Sequence, residues 1–76
     1  MNNPRRNELE NILKLLESAK DRLEAVLDEE EESRDSTPEN FQGTERYEIS
    51  EAACDNLAEA VDSLDTAIDA VNQATA

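Results

Sequence analysis

The sequence predicts an all-α protein: an antiparallel two-helix hairpin, coiled-coil-like, that pairs with a second copy as a four-helix bundle. Three observations predict it. In two long segments apolar residues recur at alternating steps of three and four, the signature of a helix with one buried stripe. Between those segments lies a stretch of about a dozen residues that holds Pro38 and the single glycine, Gly43, a short connection of the kind that folds one helix back on the next. The stripes are also wider than one hairpin can cover, which calls for a second copy or another subunit. The whole chain, residues 1–76, is read as a single domain.

The first helix is predicted over residues 4 to 32. Asn3 is the expected N-cap and Pro4 suits the first helical position, where a missing N–H costs nothing. Leu9, Ile12, Leu16, Ala19, Leu23 and Val26 then follow at steps of 3, 4, 3, 4 and 3. Leu9, Leu16 and Leu23 take the a positions of a heptad, and Ile12, Ala19 and Val26 take d. Leu13 and Leu27 at e and Leu15 at g widen the seam, which suits more than two helices. On the exposed face Glu10 and Lys14 form an i,i+4 pair in the favourable order, worth about 0.3 kcal/mol.

Residues 33–44 are predicted as a loop with one short helical turn. Five acids run from Asp28 to Glu32. Negative charge at a helix C-terminus opposes the macrodipole, so this end is expected to fray. The run is also unlike a calcium loop, which alternates its oxygen ligands and needs a glycine at the bend. Thr37, Pro38 and Glu39 read as a cap, a first-turn proline and an early acid, opening a turn through Asn40, Phe41 and Gln42 to Gly43. Phe41, the only phenylalanine, is expected to plug the open end of the helix pair.

The second helix is predicted over residues 45 to 74. Tyr47, Ser50, Cys54, Leu57, Val61, Leu64, Ile68 and Val71 step at 3, 4, 3, 4, 3, 4 and 3. An alanine ladder (Ala53, Ala60, Ala67, Ala74) runs beside them at seven-residue intervals. Alanines at every d position would let the larger side chains of the first helix fill the space opposite, as complementary packing requires. Cys54 lies on the stripe and reads as a small buried hydrophobe. The packing and oligomer seam is therefore Leu9, Ile12, Leu16, Leu23 and Val26 against Leu57, Val61, Leu64, Ile68 and Val71.

Composition removes whole classes of function. Lys and Arg number 7, Asp and Glu 20, giving a net charge of −13 with no histidine. A chain so acidic repels nucleic acid and anionic membrane, so neither is an expected partner. The absence of histidine and the single cysteine close the common zinc, iron and copper ligand sets and the usual nucleophile–base pairs. No metal, cofactor or catalytic residue is expected, and paired carboxylates lack the desolvated cleft that acid–base chemistry needs. The N-terminal segment has no apolar core of a signal peptide, and the lone cysteine suits a reducing compartment; the expected location is the cytoplasm. Only 18 apolar side chains are larger than alanine, so an autonomous monomer has a meagre core.

The charges are unevenly placed. All seven bases precede residue 47, and from Tyr47 onward there are seven acids and no base. Asp55, Glu59, Asp62 and Asp69 occupy f and c positions with Asp65 at b, forming one outward row with a carboxylate at nearly every turn. Such a row is mildly self-repelling and would attract a basic groove on another protein. A solvated helix face accounts for the same row without any partner.

The leucine-rich first helix, the acidic run, the segment Pro38-Glu39-Asn40-Phe41-Gln42-Gly43-Thr44-Glu45-Arg46-Tyr47-Glu48 and the closing helix with its Ala-x-Asp-x-Leu pattern resemble small acidic helical-hairpin proteins of bacteriophages and prophages. That resemblance implies a mobile-element origin and a bacterial cytoplasm, and carries no functional residue across. The expected function is a non-enzymatic protein-binding module, as a phage-type inhibitor or DNA mimic whose acidic face engages a basic host protein that handles nucleic acid. The alternative is a self-assembling structural module acting through its apolar seam.

Overall fold

The computed structural model describes residues 1–76. The chain forms helix α1 (Asn3–Asp35), a single 3-10 turn (Glu39–Phe41) and helix α2 (Glu45–Thr75), with no strand. The two long helices pack against each other as a hairpin.

Helix α1 begins one residue earlier than the sequence suggested. Asn2, not Asn3, is the N-cap: its backbone is extended, and its Oδ1 accepts from the Arg5 N–H at 2.9 Å. Pro4 remains within the first turn, where none of the N–H groups has an intrahelical acceptor, so the proline is still tolerated. The other end does not fray at Glu32 but continues to Asp35. Its terminal carbonyls are satisfied: the Ser36 N–H and Oγ both donate to Glu32 O, at 3.0 and 2.8 Å, and Thr37 Oγ1 donates to Ser33 O at 3.3 Å. Arg34 in the last turn places a cation where the macrodipole favours one. Ser50 Oγ donates to Glu30 Oε1 at 2.6 Å, which ties the acidic run to α2. Local charge repulsion is thus outweighed by capping and packing.

Thr37 does not cap the short turn. Pro38 occupies that position without a side-chain bond, while Phe41 N–H donates to Pro38 O at 2.9 Å. Gly43 is not in the left-handed region. Thr44 caps α2, its hydroxyl accepting from the Tyr47 N–H at 3.3 Å and donating to Phe41 O at 2.8 Å. Glu45 and Glu48 in the first turn complement the positive end of the dipole.

Three ties along the hairpin hold its antiparallel register. Arg6 Nη1 donates to Thr75 O at 3.0 Å at one end, Lys20 pairs with Asp65 in the middle, and Ser50 bonds Glu30 near the loop. Between them the seam forms, but on α1 it follows different rows from those expected. Leu9, Leu16 and Leu23 at a are half-buried together with Leu13, Lys20 and Leu27 at e, whereas Ala19 and Val26 at d are exposed. Ile12 is the one d residue at the edge of the seam. On α2 the buried line is Cys54, Val61 and Ile68, flanked by half-buried Leu57, Leu64 and Val71. The alanine ladder borders this line and does not floor it: Ala53, Ala60 and Ala67 are half-buried and Ala74 is exposed. A single facing helix covers only a narrow stripe, and the bulky branched residues of α2 take it in preference to alanine because they remove more apolar area from water.

The resulting core is thin. Cys54, Val61 and Ile68 are the only buried residues, and none lies on α1. The molecule is a rod of 59 × 14 × 14 Å with a radius of gyration of 17.3 Å, against about 11 Å for a compact chain of this length. Its accessible surface is 5657 Å², roughly 1,000 Å² more than the ~4,700 Å² typical of a folded monomer of this mass.

Candidate functional site

The hairpin sorts its side chains by a simple rule. On both helices the residue just after a seam residue tends to be acidic, and the residue just before it tends to be small or apolar. Consecutive residues are about 100° apart round a helix, so the two sets flank the seam on opposite sides. Leu16, Leu23 and Glu30 are followed by Glu17, Glu24 and Glu31; Cys54, Val61, Leu64 and Ile68 are followed by Asp55, Asp62, Asp65 and Asp69. Lys20 joins the two series, its Nζ lying 3.7 Å from Glu24 Oε1 and hydrogen-bonded to Asp65. Glu24 and Asp65 therefore share one side of the hairpin, and the residues in register with them do too.

Asp65 departs from the outward row assigned to it. It turns toward α1, is half-buried and carries the ion pair with Lys20. The hydrogen bond to Asp65 is the largest influence on the Lys20 ammonium; burial opposes it, the Asp65 and Glu24 charges add to it, and the pKa stands above the usual lysine range. Asp55, Glu59, Asp62 and Asp69 are exposed and take part in no ion pair. The structure adds α1 carboxylates that the sequence reading of this face had left out. Glu10, Glu17, Glu24 and Glu31 recur every seven residues, a period visible in the sequence that places them on one face of α1. The acidic face is thus a two-helix flank, and not a row on α2 alone.

The opposite flank is made by the residues that precede the seam. On α1 these are Glu8, Ile12, Leu15, Ala19, Arg22, Val26 and Glu29, so that the carboxylates stand only at its two ends; on α2, Ile49, Ala53, Asn56, Ala60, Ser63, Ala67 and Ala70. Leu15 is 70% exposed and Ile49 63%, large apolar side chains with no covering in the hairpin. Ala19, Arg22, Leu23 and Val26 line a shallow cleft here. Val26, expected in the seam, belongs to this flank. No carboxylate of α2 lies on it.

At the tip, Phe41 does not plug the helix pair. It is 53% exposed and, with Thr37, Pro38, Thr44, Arg46 and Tyr47, lines an open cup of about 390 Å³. At this end of the seam Tyr47 and Arg34 are half-buried and Ser50 bonds Glu30 across the two helices. Cys54 is 3% exposed. Burial pushes its thiol above the ordinary range, and the Arg34 charge offsets this only in part, so the sulfur stays protonated and unreactive in the folded chain. No group of three or more Cys, Asp or Glu side chains is arranged to hold a metal ion. No helix is long and apolar enough to cross a membrane. Comparison with protein-family models, with curated proteins and with solved structures finds no match.

Proposed function

We propose that this chain is a non-enzymatic protein-binding module whose acidic flank docks on a basic surface of another protein. One observation carries the reading: Asp55, Glu59, Asp62 and Asp69 stand exposed and unpaired along α2, with the Glu17–Glu24–Glu31 series of α1 beside them. From Asp55 to Asp69 the row spans about 21 Å, long enough to lie along a groove built for a phosphate backbone. In its sharper form the module is an inhibitor of the phage type, a DNA mimic that occupies the nucleic-acid surface of a bacterial host protein in the cytoplasm.

The test is affinity capture with the folded chain and with a matched quadruple variant, Asp55→Asn, Glu59→Gln, Asp62→Asn and Asp69→Asn. The reading expects captured proteins that elute with rising salt, because the contact is electrostatic, that are displaced by duplex DNA, and that the variant does not retain. Capture of the same proteins by the variant overturns it.

A second reading, a self-assembling module built as a homodimeric four-helix bundle, is favoured by the thin core and by the exposure of Leu15, Val26 and Ile49. It expects association that survives high salt, and a salt-labile dimer would contradict it. The two readings are compatible, since they use opposite flanks.

A further inference from the structure

We infer that the acid-poor flank of the hairpin is a self-association face for a second copy of this chain, so that the assembled bundle turns one acidic flank outward on each side. The inference rests on the self-assembly reading and adds to it the face that is used. Three observations point to this occupant. The first is area. One long side of a 59 × 14 Å rod presents about 800 Å², the contribution each partner makes to a standard stable interface. Covering it would remove an amount close to the surface by which this hairpin exceeds a compact chain of 8.5 kDa.

The second is charge. Two chains of −13 each repel one another, and this flank keeps its carboxylates, Glu8 and Glu29 of α1, to its two ends, leaving the stretch between them free of acids. On α2 it is uncharged from Ile49 to Ala74, and on α1 its single charge between Ile12 and Val26 is the cation Arg22, which forms no ion pair within the hairpin. A strongly basic partner would instead be drawn to the acidic side.

The third is shape. Leu15 and Val26 project from α1, while Ala60 and Ala67 leave a shallow strip on α2. A two-fold axis along the rod sets α1 of one copy on α2 of the other, so that the bulky residues of each copy face the alanines of its partner. This is the large-against-small packing that the sequence implied, moved from within the hairpin to between hairpins.

The experiment measures mass by sedimentation over a range of about 10 to 500 μM at moderate salt, with helix content followed by circular dichroism. The wild-type chain is expected at twice 8.5 kDa. Ala67→Glu and, separately, Leu15→Glu are expected to weaken the dimer at least tenfold. Glutamate is a good helix former, and Leu15 is already exposed, so the second variant keeps the hairpin even if the first loosens it. Thr66→Glu adds the same charge one residue away, on the outward side, and is expected to leave the mass unchanged. A wild-type monomer throughout the range overturns both the self-assembly reading and this face. A dimer that survives both Ala67→Glu and Leu15→Glu, or that is broken equally by Thr66→Glu, overturns the face alone. A mass above that of a dimer overturns the closed pair.

Discussion

At the scale of single residues, the ends of the helices show how much rests on one or two hydrogen bonds. Two consecutive asparagines leave the cap ambiguous in the sequence, and the structure chooses Asn2 because its Oδ1 reaches the Arg5 N–H. Thr44 caps α2 through its hydroxyl, which accepts from the Tyr47 N–H. Gly43 marks a turn in the sequence, yet its φ is not positive and a Cβ built on it meets nothing within 4 Å. Gly43→Ala should therefore stabilise the chain by about 0.4–1 kcal/mol through a less free unfolded state. Thermal unfolding checks this, and a lowered melting temperature would contradict it. Lys20 is a residue whose role only the fold reveals, since it is an e-position base that becomes the link between Glu24 and Asp65. Its pKa is raised from 10.5, so the pair contributes stability below that pH and loses it as pH rises through the folded value. Melting temperature should fall more steeply above about pH 10.5 in the wild type than in Lys20→Met; parallel curves would remove the pair from any account of stability.

At the scale of elements, both helices were legible and their contact line was not. Steps of three and four set the helices over nearly their full lengths, because a 3.6-residue period repeated through some thirty residues has no other regular solution. Helix α1, however, carries apolar residues at a, d, e and g. Periodicity alone cannot say which adjacent pair of rows meets the partner. Packing selected a and e, placing Leu13 and Leu27 inside and Ala19 and Val26 outside. The acidic end of α1 misled for a related reason: its charges suggested fraying, but Ser36, Thr37, Arg34 and Ser50 supply partners that a reading of charge alone does not count. Replacing Ser36 with Ala should shorten α1 at that end and lower stability by about 1 kcal/mol or less, the ordinary worth of a hydrogen bond at an exposed site. Amide exchange at the Ser36 and Thr37 N–H groups is the direct measure, and unchanged protection there would reject the capping role.

At the scale of the whole molecule, the governing facts are shape and charge. A 59 Å rod with three buried residues has little to set against the mutual repulsion of a −13 chain. Raising ionic strength from about 0.01 to 0.15 M shortens the screening length from about 30 to 8 Å and should raise the melting temperature, even though it weakens the Lys20–Asp65 pair. A fall would mean that specific ion pairs outweigh net repulsion. The same segregation of charge organises the proposed function: one flank collects the carboxylates of both helices and the other excludes those of α2.

The sequence by itself determined that this protein is two long amphipathic helices joined by a short turn, with acids on both and every base before residue 47. Those properties depend on local periodicity, capping and composition, all of which act within one segment of chain. Only the tertiary structure decided which rows face inward, that Asp65 turns to Lys20 while its neighbours stay free, and that glutamates of α1 stand beside aspartates of α2. These depend on the rotation of one helix about its axis relative to the other. That rotation follows from which pairing of bulky side chains across the seam removes the most apolar surface from water.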